Sequence, residues 1–344
     1  MKRLRTFTLI SICLAVMIFL FKKRDPTTIA AGDGLVIKKE WLIENNTPLT
    51  PKKDCRPADQ TFLTFPEWYL VFSPEEQAHY YKKYTASSFP FMSNNDQFWK
   101  SYKIVNNQIK DNFPVNKGYH FMIWVIGVSS AVEYSIKAWY EAIIGRMTDT
   151  YLVKTDEDKF NAKYTEDYVG FIKDRPWYEF NFISRLKSLW TNNSFYDNYF
   201  IRKMERKYIL SSELVVKYIY GKLIGMGTKT VYDEALSTTT VIVDDSTIIN
   251  LPRYDKFNAG IIALAKEGKV FKEIAGNNSA ILLTIIRPAN ELNQFTNAQV
   301  VFTQPISSDL TKKRVALAVP VLQLNKLLLQ LDKDKIKVEH VFDY

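Results

Sequence analysis

The spacing of apolar residues changes near Thr228, and this change constrains the fold more than any other feature of the chain. Before it, apolar side chains recur every three or four residues, as on one face of a helix. After it, short β-branched runs alternate with turn residues, which is typical of strands. The pattern predicts an α+β protein with a helical, aromatic-rich body over residues 61–228 and a second domain over residues 229–344.

The C-terminal domain is predicted to be ferredoxin-like. Helices at about 253–267 and 320–331 interrupt the β-branched runs, and Gly268 is placed to end the first helix. Asn277 and Asn278 are expected to form a hairpin turn. The order β-α-β-β-(β-β)-α-β matches a split βαβ unit with an added hairpin. By fold analogy alone, this sheet could join copies into a homo-oligomer or bind a small ligand as a sensor. The predicted strands are 238–243, 270–275, 280–287, 298–304, 314–319 and 336–344.

The segment TFPEWYLVFSPEEQAH (64–79) predicts two consecutive helix starts. Thr64 with Glu67, and Ser73 with Glu76, have the spacing of capping boxes, in which the hydroxyl and the carboxylate satisfy free backbone N–H groups. A third helix start is expected at Asn94 or Asn95. The helices predicted after these two starts are 96–110, 118–147, 156–173, 176–190, 196–210 and 213–224.

An uncharged apolar segment, Thr6–Phe21, lies between basic clusters at the N-terminus. It predicts an uncleaved membrane anchor, since 16 helical residues span about 24 Å and flanking cations can reach the interface. A cleaved signal peptide and a buried helix are the alternatives, but Lys22, Lys23 and Arg24 occupy the place of a small-residue cleavage site. Residues 25–60 are then a linker. Three cations on each side of the segment leave its orientation undetermined.

The stretch 118–147 is the most apolar part of the body. Ser129, Glu133, Lys137 and Glu141 recur every four residues and therefore form one polar stripe. Three hypotheses fit: a buried core helix with one exposed edge, a membrane helix whose stripe faces other protein, and a catalytic Glu133–Lys137 pair. The last would make a membrane-associated enzyme for an apolar or lipid-like substrate, aided by Glu67 or His120.

Other chemistry finds little support in the sequence. Six of the nine net positive charges flank the N-terminal segment, so the body lacks the clustered cations of a nucleic-acid surface. Glu76 and His79 form an E-x-x-H pair, but no second such pair completes a metal site. Nucleophile and nucleotide-binding motifs are absent. We therefore expect no nucleic-acid partner, cofactor or metal, and no catalytic residue beyond the candidates Glu133, Lys137, Glu67 and His120.

Three stretches, TFLTFPEWYLVFSPEE, GYHFMIWVIGVSSAVEYSIKAWYE and VEHVFDY, together resemble a family of uncharacterised bacterial membrane-anchored proteins. The resemblance covers the chain from about Thr61 to its end. It implies attachment to the bacterial inner membrane, with the lipid bilayer as partner, and it brings no known activity or site residue with it. The sequence thus favours a membrane-anchored protein with a binding or envelope-structural role over an enzyme.

Overall fold

The structure, a computed structural model, describes residues 37–42, 47–57, 59–150, 153–191, 198–232, 238–244, 246–292 and 294–342. In the helix that ends at residue 232, side chains are described up to residue 226. The predicted anchor Thr6–Phe21, nearly half of the predicted linker and residues 343–344 lie outside these ranges. What is described is a mixed α+β protein with eight helices and two antiparallel sheets.

The helices and strands follow one another with six helices first. These are α1 (Gln60–Lys83), α2 (Phe91–Ile109), α3 (Lys117–Tyr140), α4 (Asp156–Ile172), α5 (Phe182–Thr191) and α6 (Phe200–Tyr232). Helix α3 continues through a π-helical turn, Glu141–Gly145, and ends with Arg146–Thr148. The C-terminal part contains β1 (Thr238–Val243), β2 (Thr247–Pro252), α7 (Asp255–Lys266), β3 (Phe271–Ile274), β4 (Ala280–Pro288), β5 (Gln299–Ile306), β6 (Asp309–Pro320), α8 (Leu324–Lys333) and β7 (Lys337–Val341).

Helix α1 runs without interruption through Pro66 and Pro74, so the two predicted helix starts are wrong. The Thr64 hydroxyl donates to the Gln60 carbonyl at 2.8 Å instead of capping a helix. Each internal proline costs about 3 kcal/mol or more in an exposed helix. Here 15 of the 24 residues are buried, and this packing outweighs the lost hydrogen bonds.

Two other predicted helix boundaries are also wrong. Helix α2 begins at Phe91, so Asn94 and Asn95 lie inside it as buried residues and cap nothing. The helices predicted at 196–210 and 213–224 form the single helix α6, which continues past Gly225.

The C-terminal strands form two sheets, so the ferredoxin-like prediction is wrong. One sheet has the order β2-β1-β3 and the other β5-β6-β4-β7, and every described pairing between strands is antiparallel. A split βαβ unit needs its strands in one sheet. Asn277 and Asn278 connect β3 to β4, which belong to different sheets, and the sequence did not predict β2. The predicted stop of α7 is confirmed: Gly268 has φ +79°, and Lys269 N–H donates to the Leu264 carbonyl at 3.0 Å.

The four-stranded sheet lies between two hydrophobic cores. Along β4, Ala280 and Leu282 face the core built around α1, whereas Ile281 and Leu283 face the core formed with α7, α8 and the second sheet. Burial on both faces explains why the strand is a continuous apolar run. The α1 core is held to the sheet by Phe65, whose ring meets Phe302 edge to face at 4.8 Å between centroids.

A buried arginine also connects the helical body to the sheet. Arg314 on β6 is 2% exposed and binds Glu76 of α1 at 3.1 Å and Glu339 of β7 at 2.6 Å. Its guanidinium lies over the Phe72 ring, 4.1 Å from the centroid. Glu76 therefore has a structural partner, although a different one from the backbone group that the sequence predicted.

Candidate functional site

Helices α3 and α6 run antiparallel and are joined by a row of polar contacts between their facing sides. The paired positions run in opposite directions along the two helices at intervals of one or two turns, which keeps them on one face of each helix. We call this row the seam; its pairs are Ser129–Tyr220, Glu133–Lys217, Lys137–Glu213 and Glu141–Arg206.

Four charged side chains alternate at the centre of the seam. The Lys137 ammonium lies 2.9 Å from Glu133 and 3.0 Å from Glu213. The Lys217 ammonium lies 3.3 Å from Glu133 and 2.9 Å from Glu213. Three of the side chains are less than 20% exposed, and Glu133 is 36% exposed. Each charge thus has two opposite neighbours, and the quartet is neutral as a whole.

The pKa shifts follow from this geometry. Burial alone would raise the pKa of Glu133, but the ammonium groups of Lys137 and Lys217 outweigh it and lower the pKa to about 2. Burial alone would lower the pKa of Lys137, but the carboxylates of Glu133 and Glu213 outweigh it and raise the pKa above its ordinary value. All four groups are therefore charged at neutral pH, and none has a pKa near 7, where general acid–base catalysis is most efficient.

Buried tyrosines line the inner side of the quartet. Burial, with a smaller effect from the Glu133 carboxylate, raises the pKa of Tyr134 to about 12. The Tyr134 hydroxyl contacts the Ser73 hydroxyl and accepts from Gln77 Nε2 at 3.0 Å. The Tyr134 hydroxyl is thus neutral and already hydrogen-bonded, and this does not favour a reactive role for it.

A second ionic cluster closes the seam at the π-helical turn. Glu141 accepts from both terminal nitrogens of Arg206, at 2.7 and 3.0 Å, and Glu205 binds the same guanidinium. Gly145 faces the Glu141 carboxylate so closely that an added Cβ would lie 2.1 Å from Oε2. Only glycine leaves room for the Glu141 side chain to reach Arg206.

The other predicted site residues lie at the far end of α3. The Tyr119 hydroxyl donates to Glu67, and His120 Nδ1 lies 3.2 Å from the Tyr102 hydroxyl. His120 is 13 residues from Glu133, or about 20 Å along the helix. The structure therefore brings Glu133 and Lys137 together and leaves Glu67 and His120 outside that group. The catalytic role suggested for Glu133 and Lys137 stays a prediction.

The E-x-x-H pair is divided between the interior and the surface. Glu76 is buried and bound to Arg314, whereas His79 is exposed. Over the described ranges, no group of three or more His, Cys, Asp or Glu side chains could hold a metal ion.

An exposed apolar surface covers the outer side of the seam. Between Phe121 and Ile144, every exposed residue of α3 is apolar, while Lys117 and Arg146 bracket the stretch. Among the exposed residues of α6 from Phe200 to Met226, nine of ten are apolar or aromatic. We call this surface the apolar face. It consists of Phe121, Trp124, Val132, Ile136, Trp139, Ile143, Ile144 and Met147 of α3, and Phe200, Ile201, Tyr208, Val215, Val216, Tyr218, Ile219, Leu223 and Met226 of α6.

The residues Lys117–Thr148 form one helical stretch that is long and apolar enough to cross a membrane. The stretch has 32 residues, and its most apolar 18-residue window has a mean hydropathy of 1.2 and is 17% buried. This low burial separates it from the core helix of a water-soluble protein.

A cavity of about 530 Å³ lies beside α6, between that helix and residues 178–182. It opens to solvent, and polar and apolar groups share its lining almost equally. Its lining residues are Tyr178, Glu179, Phe180, Asn181, Phe182, Tyr218, Gly221, Lys222, Gly225 and Met226.

The sequence predicted the α3 half of the seam, which contains Glu133 and Lys137, and missed the α6 half. Glu213 and Lys217 have the same i,i+4 spacing as Glu133 and Lys137, so a search for matched charge pairs on separate helices would have suggested them. The cavity has no comparable local motif. Comparisons of the chain with protein-family models, with curated proteins and with solved structures find no match.

Proposed function

We propose that this is a membrane protein whose apolar face is immersed in one leaflet of a bilayer, with a binding or envelope-structural role there. One observation supports this most: α3 and α6 turn their charged groups inward, toward each other and toward α4, and their apolar side chains outward. On α6, Arg202, Arg206 and Lys207 are at most 3% exposed, whereas Ile201 is 73% exposed. A water-soluble helix has the opposite arrangement.

Exposed apolar residues of both helices flank the seam on the same side. A residue that precedes a seam residue is rotated from it by about 100°. In antiparallel helices, this rotation leads to the same side of the line where the helices meet. Val132 and Ile136 on α3 and Val216 on α6 occupy such positions, and all three are more than half exposed. The two helices therefore present exposed apolar residues along a common side, and a contiguous exposed apolar surface marks an interaction with a membrane or another protein.

The neighbouring helix favours an orientation of α3 in the plane of the membrane. Helix α2 runs antiparallel beside α3, since Met92 contacts Ser135 and Trp99 packs against Gly127. Asp96 and Lys100 on α2 are exposed and lie alongside the middle of α3. If α3 crossed the bilayer, each of these charges would enter its centre at a cost of about 2.5–3.5 kcal/mol. An in-plane helix immersed by about 5–10 Å leaves them in water.

The predicted anchor Thr6–Phe21 would give the chain a second membrane contact and hold the apolar face near the bilayer. Neither of the other hypotheses gains a specific observation. The Glu133–Lys137 pair has no group with a pKa suited to acid–base catalysis, and the sensor hypothesis depended on a ferredoxin-like sheet that the structure lacks.

Spin labels can test the immersion without relying on the anchor. In a Cys13→Ser, Cys55→Ser background, single cysteines at Ile136 and Ile219 report on the apolar face. Leu310 on β6 is 65% exposed and provides the matched apolar control. Oxygen dissolves in lipid and a nickel chelate stays in water, and each speeds up the spin relaxation of a label that it reaches. In lipid vesicles, oxygen should have the larger effect on labels at Ile136 and Ile219. The nickel chelate should have the larger effect on the label at Leu310. Nickel access at Ile136 equal to that at Leu310 would rule out the proposal.

The same method separates an in-plane helix from a crossing one. Labels at Phe121 and Met147 are 26 residues apart, or about 39 Å along a helix. An in-plane helix places both at similar shallow depth. A crossing helix places them near opposite surfaces, with Val132 and Ile136 deepest.

A further inference from the structure

The cavity beside α6 is shaped by two glycines. A Cβ on Gly221 would lie 3.5 Å from the Tyr178 backbone, and one on Gly225 would lie 3.3 Å from the Tyr178 ring. The absence of a side chain at Gly225 lets the Tyr178 ring lie close to α6, and an open space remains beside it. Its volume, about 530 Å³, is in the range of small-molecule binding sites.

The cavity lies at the edge of the apolar face. Tyr218 and Met226 line the cavity and belong to the apolar face as well. If the apolar face is immersed in lipid, as proposed above, the cavity is at the level of the lipid headgroups. A lipid could place its head in the cavity while its acyl chains remain beside the outer residues of α6, such as Leu223.

Two opposite charges stand in this aromatic cavity. Lys222 is the one charged residue among the exposed described residues of α6 between Phe200 and Met226, and its ammonium lies over the Tyr218 ring, 5.7 Å from the centroid. Glu179 lines the cavity as well and is exposed. Within the described part of the chain, neither group forms an ion pair. Both charges are therefore available to a ligand.

We propose that this cavity binds the headgroup of one zwitterionic phospholipid. Lys222 would bind the phosphate, because an ammonium is a strong donor to phosphate oxygens. Glu179 would bind the ammonium of the headgroup, with the Tyr178 ring offering a cation–π contact. A lysine alone would accept any anionic head; the neighbouring carboxylate disfavours a purely anionic one and so gives the site its selectivity.

Native mass spectrometry of the full chain in dodecyl maltoside tests this proposal. The delipidated protein is titrated separately with phosphatidylethanolamine, phosphatidylcholine and phosphatidylglycerol of identical acyl chains. The variants are Lys222→Gln, Glu179→Gln and, as the matched control, Lys103→Gln, which removes an exposed lysine from α2. We expect one bound zwitterionic lipid, an affinity lowered about tenfold by Lys222→Gln through loss of a charge-assisted contact, and no effect of Lys103→Gln. Glu179→Gln should weaken the preference for zwitterionic lipids over phosphatidylglycerol.

Equal affinity of the unchanged protein and Lys222→Gln would overturn the proposal, and so would a preference of the unchanged protein for phosphatidylglycerol. Inorganic phosphate that displaces the lipid at equal concentration would show a free-phosphate site instead. The proposal rests on membrane attachment, but the two tests fail separately. The titration in detergent needs no docking to a bilayer, and the spin labels at Ile136 and Ile219 do not touch the cavity.

Discussion

Replacing Lys137 by methionine should destabilise the protein more than replacing Lys137 and Glu133 together. The single change leaves Glu133 and Glu213 with one cation, Lys217, between them, so one negative charge is unbalanced inside the seam. The double change Glu133→Gln, Lys137→Met leaves the Lys217–Glu213 pair, at 2.9 Å, and no net charge. The Glu133→Gln change alone leaves one positive charge unbalanced.

The size of the effect follows from the burial of the group left behind. Removing one partner of a buried ion pair costs about 3–5 kcal/mol, mostly because the other charge remains buried without compensation. Glu133 keeps 36% of its side-chain surface, so water screens part of that charge and the lower end applies. We expect a loss of about 3 kcal/mol in the free energy of unfolding for Lys137→Met and about 2 kcal/mol for Glu133→Gln. The double variant should lose about 2 kcal/mol, less than Lys137→Met alone, against about 5 if the effects were additive.

Urea unfolding of the four proteins in detergent micelles, followed by circular dichroism, measures this cycle. The control is the same cycle on Lys82→Met and Glu166→Gln, a pair 2.6 Å apart whose side chains are both 47% exposed. An exposed pair contributes about 1 kcal/mol or less, so those changes should be small and nearly additive. Additive losses at Lys137 and Glu133 would refute the argument that the quartet acts as one balanced unit.

Three further changes test other parts of the structure. Gly145→Ala should lower the free energy of unfolding by about 2–4 kcal/mol in urea titrations, because the new methyl group displaces Glu141 from Arg206. The control is Gly170→Ala on α4, where a Cβ would meet no atom within 4 Å. That change should raise the free energy of unfolding by up to about 1 kcal/mol. Burial lowers the pKa of His340 to about 3. As the pH drops, the unfolded chain therefore protonates this histidine before the folded protein does. The free energy of unfolding should fall as the pH drops from about 6.5 toward 3, by about 2 kcal/mol between pH 6.5 and 5. In His340→Phe, urea titrations at several pH values should show that this part of the pH dependence is lost. Arg314→Met should cost about 3–5 kcal/mol, since it leaves two buried carboxylates without their cation, and a loss under 1 kcal/mol would contradict the connecting role assigned to it.

The sequence predicted helices correctly where local pattern and tertiary packing agree. Thr155 and Asp158 form a true capping box at the start of α4, near the predicted start at residue 156. Thr64 and Glu67 have the same spacing and form none. The difference lies in the residues before them: Phe62 and Leu63 are fully buried in the α1 core, so the chain is already helical when it reaches Thr64. Burial against distant parts of the chain decides which of two motifs with the same spacing forms a cap.

The sheets show the same limit more strongly. Most strands were predicted within a few residues, since β-branched runs bounded by turn residues are local features. The sequence did not predict which strands pair with each other, because pairing depends on contacts between residues far apart in sequence. Asn277 and Asn278 have good turn residues, yet β3 and β4 leave that turn for different sheets. A turn motif specifies a reversal of the chain and says nothing about which strand lies alongside.

The seam also fixes how α3 and α6 lie against each other, and this matters in a lipid environment. Lipid tails are as apolar as leucine, so hydrophobic contact alone does not hold two immersed helices in one register. If α6 slid by one turn in one direction, Glu133 would face Glu213. If it slid by one turn in the other, Lys137 would face Lys217. Both slips bring like charges together, whereas the observed register pairs each charge with its opposite. The charges at the centre of the seam thus hold the two helices in register. This is a structural role for ion pairs that have no catalytic one.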